Sequence, residues 1–284
     1  MIPLDDFEWI KAKSMEENAA EILTGAEREQ WERLSENEIN KDLESIIFHP
    51  VGYKLEHWSV FGWFLKTKWL EAMRAANLAA PVSMIELATG SSDNIPRVLA
   101  KYYAHPETRY TSVNLNKLLT AEFKRKTGDL PLKIDIIEDA AQKIEDHFGN
   151  ETADAVIFEH AFNDVAEDMI AKKHGIDTVN SNWFDILPKM IGLTNEAYAG
   201  GEYETVLKGG FIRMLRSLLK ILKPGSFIIS YQFHYQFDLD FGINPAIWTE
   251  LISTVRRWIK EENIGEEVFF DNFEPNWWLF IRKV

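Results

Sequence analysis

From Pro81 onward the chain alternates short apolar runs with helix-patterned stretches, and this alternation constrains the fold more than any other feature. Residues 82–87, 110–115, 133–137, 153–158 and 227–233 read as strands. Helices are expected around 96–103, 117–126, 140–148 and 203–222. Strands separated by helices pair in parallel, with the crossovers lying on the faces of the sheet. Residues 244–262 read as a further helix, then 267–270 and 277–282 as two last strands. The segment 272–276 between that pair is too short for a crossover, so the pair is an antiparallel hairpin. The expected fold is α/β: a doubly wound, seven-stranded, mostly parallel sheet with a C-terminal antiparallel hairpin, preceded by an N-terminal helical cap.

The first 80 residues carry no strand pattern. Segments 5–23 and 26–47 are rich in Glu, Ala, Lys and Leu, all good helix formers. They are broken at Thr24-Gly25 and again at His49-Pro50-Val51-Gly52. Trp58, Phe61, Leu65, Trp69, Ala72 and Met73 then recur at the spacing of one helix face. That helix should stop near 77–81, since Pro cannot continue it. The expected division is a helical cap over 1–80 and an α/β domain over 81–284, with an insertion at about 166–201. The insertion contains Asn180, Ser181, Asn182, Gly192, Gly200 and Gly201. Stretches of that length inside compact domains are usually functional loops or lids.

Composition narrows the function. The formal net charge is −14, with 45 acidic and 31 basic residues, which argues against a nucleic-acid partner. The one dense basic run, Lys124-Arg125-Lys126, reads as the solvated end of a helix. There is no Cys, so disulfides, thiolate catalysis and thiolate metal sites are excluded. The N-terminal residues show no basic stretch followed by an apolar run, and no segment approaches the roughly 20 apolar residues of a membrane span. A cytoplasmic protein without a membrane partner is expected. The His and carboxylate spacings contain no HExxH pattern, so no metal is expected. Oligomeric state is left open, a homodimer among the options.

The strongest local signal is Met84-Ile85-Glu86-Leu87-Ala88-Thr89-Gly90-Ser91-Ser92. A strand runs into an acidic residue, then small residues at alternate positions, then a helix. Small residues let the backbone turn sharply and approach a ligand, and free N–H groups at the helix start favour an anionic group. An ordinary tight βα turn has the same pattern, and the segment has one Gly where a dinucleotide fingerprint has three. Four further segments follow in order: Ser112-Val113-Asn114-Leu115-Asn116, Ile137-Glu138-Asp139-Ala140, Asp154 through His160, and Leu219 through Ser226 with its Lys-Pro-Gly turn.

Together, these five segments resemble the Rossmann-like (class I) S-adenosylmethionine-dependent methyltransferases over roughly 81–284. The resemblance implies S-adenosyl-L-methionine as cofactor. It puts Glu86 on the family's first acidic position and Ala88, Gly90 and Ser92 on its three small positions. Asn114 stands where the family has an acidic residue for the ribose hydroxyls; Asn can donate and accept, but it is not an ionised acceptor. Asp139, beside Ala140, takes the adenine amino group, and the fourth-strand end at Glu159 faces the methyl group. Glu159 is a candidate to hydrogen-bond the cofactor or to bind a cationic acceptor; alternatively it only caps the next segment.

Methyl transfer is an in-line displacement that relies on positioning, with a base where the nucleophile carries a proton. His160, just past the fourth strand, is the first candidate base, with Asn163 nearby toward substrate; a His that only hydrogen-bonds a loop fits equally. His234, after the fifth strand, is the second, set in an aromatic stretch with Tyr231. Tyr53, His57 and Trp58 flank the break before the amphipathic helix and are expected to cover the cleft, although packing alone explains Trp58. The expected function is methyl transfer to oxygen or nitrogen of a small-molecule acceptor. The alternative is a catalytically silent binding or partner-activating protein of the same fold. A nicotinamide-dependent oxidoreductase is disfavoured by the terminal hairpin and the Lys-Pro-Gly turn.

Overall fold

The computed structural model describes residues 14–35, 37–39, 41, 55–232 and 236–284, without the side chains of 14–16, 55–58, 60, 236, 237, 248 and 249. Tyr53 and His234 therefore lie outside the described residues, as do the side chains of His57 and Trp58.

The seven strands lie in the order β3-β2-β1-β4-β5-β7-β6. They are β1 (Ser83–Leu87), β2 (Arg109–Val113), β3 (Lys133–Ile137), β4 (Ala153–Glu159), β5 (Leu222–Tyr231), β6 (Glu266–Glu267) and β7 (Trp278–Arg282). β1 to β5 are parallel, and β7 runs antiparallel to both β5 and β6. The doubly wound sheet and its terminal hairpin are those expected from the alternation. Chain order reverses between β1 and β4, which opens a crevice beyond their carboxyl ends, where ligands of such sheets bind.

Side-chain alternation along each strand loads both faces. Met84, Tyr110, Ala155, Ile157 and Ile229 pack on one side with α1 (Ser14–Ile22), α2 (Gly25–Arg33), α3 (Leu55–Ala75) and α4 (Asn94–Tyr102). Ile85, Leu87, Val113, Val156, Phe158 and Ile228 pack on the other side. There they meet α6 (Phe162–Lys173), α7 (Trp183–Ala199), α8 (Lys208–Ile221) and α10 (Pro245–Glu261). Between these come α5 (Lys117–Thr127) and the short α9 (Gln236–Asp240).

Helix α2 starts with a capping box, Thr24 and Glu27 each accepting from the other's backbone N–H. Helix α3 stops where Asn77 enters the left-handed region at φ 55, with Leu78 N–H donating to Met73 O and Asn77 N–H to Arg74 O. Its apolar stripe is buried on the sheet: Trp69, Leu70, Ala72 and Met73 are all fully covered.

Several local expectations are corrected. The segment 166–201 is not an irregular loop; α6 and α7 fill most of it, with Asn182 capping α7. The long helix expected over 203–222 begins with a π turn, Tyr203–Leu207, before α8. The segment 140–148 forms a 3₁₀ turn, Ala141–Asp146. β5 starts at Leu222 because Gly225, at φ 79, lets the Lys-Pro-Gly turn stay in the sheet by donating to Lys283 O. β6 is two residues long, shorter than its apolar run implied.

Gly265 holds the entry to β6 at φ 59; a Cβ there would sit 2.7 Å from Ile281 Cγ2 and 2.9 Å from Arg282 O. Gly265→Ala is expected to cost about 2–3 kcal/mol, from left-handed strain plus overpacking. Gly175→Ala, at φ 64 with open space around its Cβ, should cost about 1–2 kcal/mol from strain alone. Urea denaturation of both variants checks this, and equal losses would show that the clash at Ile281 relaxes away.

Candidate active site

The carboxyl ends of β1, β2 and β3 open into a cavity of about 260 Å³. Ala88 and Gly90 come from the turn after β1, Asn114, Leu115 and Asn116 from the end of β2, and Asp139, Ala140 and Gln142 from the end of β3. Asp164, Val165 and Asp168 of α6 form the opposite wall, and Thr178, Trp183 and Phe184 lie toward α7.

The turn after β1 is built for close approach. Ala88 and Gly90 both adopt positive φ, 51 and 59, a region that Gly enters freely and Ala only with strain. Asn114 Nδ2 donates to Gly90 O at 2.9 Å and to Thr120 Oγ1 at 3.0 Å. Both amide protons are thus used to hold the turn, and its Oδ1 remains as an acceptor. An Asp at this position would set a carboxylate against the Gly90 carbonyl, which is a physical reason for the amide here. Lys126 Nζ steadies the same turn through Ser91 O at 2.9 Å. The basic run at 124–126 is thus partly structural, with Lys124 paired to Glu138 at 2.8 Å.

Asp139 accepts from Ala140 N–H at 2.8 Å, His147 Nε2 at 3.1 Å and Lys143 Nζ at 3.2 Å. Burial pulls its pKa up, but these three donors outweigh burial and hold the carboxyl below its ordinary value. The carboxylate is ionised at neutral pH and part of it faces the cavity.

Asn116 joins two sides of the rim. Its Oδ1 caps α5 through Leu118 and Leu119 N–H, while Nδ2 donates to Thr178 O at 2.8 Å and Ser181 O at 2.9 Å. Lys117 N–H adds a bond to Val179 O. The connection between α6 and α7 is therefore pinned across the mouth.

Other residues singled out in the sequence do not line the cavity. Glu86 is almost fully buried and accepts from Tyr110 Oη at 2.5 Å. Desolvation, then the neighbouring charge of Glu159, push its pKa well up. Glu159 accepts from Trp69 Nε1 at 2.5 Å, Ser92 Oγ at 2.5 Å and Asn94 Nδ2 at 2.9 Å. Desolvation still leaves its pKa raised. Ser92 and Glu159 thus tie the β1 turn to β4 and α3. His160 sits at φ 49, is 8% exposed, and has Nε2 3.2 Å from Gln232 Nε2; it does not line the cavity. Tyr231 is buried against Trp69 and Trp278. Asn163 is 8% exposed and donates to Asp164 Oδ1 at 3.1 Å. No described residue of α3 lines the cavity.

The acidic wall was missed, although Asp164 and Asp168 are one helical turn apart in a legible helix. Desolvation, then the charge of Asp238, push the Asp164 carboxyl up to about 8. Its folded pKa lies above its unfolded value of about 3.9, so the folded state holds the extra proton and this group's contribution to stability falls as pH rises from about 4 to about 8. Asp164→Asn is expected to raise the melting temperature more at pH 8.5 than at pH 5. Thermal unfolding at the two pH values checks it; an equal shift at both would show that the carboxyl titrates normally.

The strand order, the reversed seventh strand and the crevice at the β1/β4 switch point define the fold of the Rossmann-like methyltransferases. No family model matches the chain, and no curated protein matches it. Solved structures are similar at low identity. A SAM-dependent methyltransferase from Aquifex aeolicus is 11% identical over 76% of this chain and 89% of its own, with a TM-score of 0.45. A protein described provisionally as an S-adenosyl-L-methionine-dependent methyltransferase, from Methanococcus maripaludis, is 13% identical over 75% of this chain and 82% of its own, with a TM-score of 0.44. One described provisionally as an rRNA methylase, from Clostridium thermocellum, is 12% identical over 75% of this chain and 95% of its own, with a TM-score of 0.44. Similarity this distant carries nothing about cofactor or acceptor.

Proposed function

We propose that this chain transfers a methyl group from S-adenosylmethionine to a small-molecule acceptor. The observation that carries the reading is the meeting of Ala88, Gly90, Asn114, Asp139 and Ala140, from three strand ends, on one cavity at the switch point. Each also holds a position in the motifs that resemble the methyltransferases. The donor set suits the cofactor's parts: an ionised acceptor at Asp139 for an amino group, the Asn114 carbonyl for a hydroxyl, and a turn at positive φ for close backbone approach. When bound, the cofactor supplies an electrophilic methyl on a sulfonium. The chain's own part is to orient the two reactants and exclude water. Asp164 lines the cavity and, with its carboxyl pushed up to about 8, receives an acceptor's proton only as pH rises through that value; His160 does not line the cavity and has Nε2 3.2 Å from Gln232 Nε2.

A small acceptor is supported by the acidic surface balance and by the pinned α6–α7 connection, which narrows the mouth. Calorimetric titration of S-adenosylmethionine and S-adenosylhomocysteine, with NAD as control, tests the cofactor. Binding of both sulfur ligands without NAD supports the reading, and binding of NAD alone overturns it. The silent-protein alternative draws on Asn114, whose amide protons are both spent on the turn; methyl transfer to any acceptor removes it. Among the described residues no helix is long and apolar enough to cross a membrane.

A further inference from the structure

We propose that residues 175–182, which connect α6 to α7, form a gate over the cavity, and that Asn116 is the clasp that holds it shut. That the ligand passing the gate is S-adenosylmethionine rests on the methyltransferase reading; the gate itself does not.

At about 260 Å³ the cavity is smaller than the roughly 300–1,000 Å³ of pockets that enclose a drug-sized ligand. Part of its wall must therefore yield for entry. The ends of β1, β2 and β3 are held in the ladder of the sheet. Helix α6 sinks Val165, Ala166 and Ile170 into the core, each at most 2% exposed. The connection is held differently. Of residues 175–182 only Thr178 is buried, and segments with little buried apolar surface open locally at low cost. It runs from Gly175, at φ 64, to Asn182, extended at φ −64 and ψ 122 before α7. Trp183 and Phe184 follow Asn182 directly and line the cavity. A swing of the connection thus carries two rings at the mouth with it.

The clasp is separable from the helix that it caps. Asn116 Oδ1 accepts from Leu118 and Leu119 N–H at the start of α5. Its Nδ2 donates to Thr178 O at 2.8 Å and to Ser181 O at 2.9 Å. One amide therefore grips two carbonyls of the connection from the opposite side of the mouth. At 6% exposure Asn116 makes these bonds largely out of water, where they hold better. Lys117 adds its N–H to Val179 O at 2.9 Å and its Nζ to Asn180 Oδ1 at 3.0 Å. On the α6 side, Thr178 Oγ1 reaches Asp168 Oδ1 only at 3.3 Å, long for a hydroxyl donor. Residues 116 and 117 thus supply most of the hold.

The clasp bonds join protein to protein, so their loss costs the free and liganded forms alike. A gate then has a kinetic signature: entry and exit both quicken, and affinity stays. A residue that only shapes the binding site changes affinity instead.

Asn116→Asp makes the test. The carboxylate still accepts from Leu118 and Leu119 N–H, but its second oxygen faces two carbonyls with no proton to give. Stopped-flow fluorescence with S-adenosylhomocysteine is expected to show association and dissociation each faster by at least about tenfold, with Kd within about threefold of wild type. The Lys117 N–H, bonded to Val179 O, reports the gate in the chain alone. Its hydrogen exchange, read by NMR, should quicken by at least about tenfold in the variant, while Leu118 and Leu119 N–H stay protected. Unchanged rates, faster dissociation with unchanged association, or lost protection at all three amides would each overturn the inference; the last would mean that α5 frays. If S-adenosylhomocysteine binds and the variant alters neither rate, only the gate falls. If it does not bind and Lys117 alone exchanges faster, the methyltransferase reading falls and the gate stands. If it does not bind and Lys117 is unaltered, both fall.

Discussion

Trp69→Ala is expected to destabilise the protein by about 3–5 kcal/mol, the range for deleting a fully buried Trp. The indole is 0% exposed and packs edge-on to Trp278 at 5.2 Å between centroids, with Tyr231 at 6.0 Å. Its Nε1–H also donates to Glu159 Oε2 at 2.5 Å. That second role separates it from an ordinary core residue. Glu159 holds Ser92 and Asn94 through its other oxygen, so losing the indole frees the carboxylate that anchors the β1 turn. Trp69→Phe keeps most of the ring volume and removes the donor, and should cost about 1–3 kcal/mol from the unsatisfied carboxylate. Urea unfolding of the two variants measures both terms. A loss under about 1 kcal/mol in Trp69→Ala would mean that α3 does not close this face of the sheet.

Asp139→Ala should weaken S-adenosylhomocysteine binding by about 10- to 100-fold, the worth of one charge-assisted hydrogen bond. Burial opposes ionisation of Asp139, but Ala140 N–H, His147 and Lys143 overcome it and hold the carboxyl below its ordinary range. The carboxylate's contribution is therefore present above the ordinary Asp pKa of about 3.9 and is lost only as pH falls through the lower folded value. Binding should accordingly be flat between about pH 6 and pH 8 as far as this group is concerned. Calorimetry of the variant and wild type across that range reads both expectations. An unchanged affinity in Asp139→Ala would remove the adenine from this position.

The contrast between Asp139 and Glu86 shows how far pattern reading reaches. Both are acids in or just after a strand, and both take their roles from the same family resemblance. Asp139 lies two residues past the end of β3, the edge strand of the sheet, and lines the cavity. Glu86 ends nothing: it is the fourth residue of β1, Leu87 follows it, and its side chain is turned to the α3 side with Tyr110. Alternation along a strand decides which face a side chain joins, and a one-residue offset exchanges the faces. Asn114 shows the same limit in hydrogen bonding. Its identity is plain in the sequence, but the commitment of both its amide protons to Gly90 and Thr120 depends on where two backbone segments meet.

What the sequence by itself determined is the architecture. Local patterning of period 2 and period 3.6, breaks at Pro and Gly, and connections too short for a crossover depend on neighbouring residues only. They yield five parallel strands, their helices and the closing hairpin. The turn after β1, the Asp139–Ala140 corner and the β2 end were legible for the same reason, since parallel crossovers bring consecutive strand ends to one edge. Only the tertiary structure decided which acids meet. Asp164 and Glu167 share a turn of α6, but Asp238 joins them from a helix that no pattern marked, and Tyr203 from a π turn. The carboxylate of Glu159 was claimed by Trp69, 90 positions earlier, rather than by the cavity. Such pairings are set by how helices from opposite ends of the chain settle on one sheet, and burial then converts that proximity into shifted protons and unpaired oxygens.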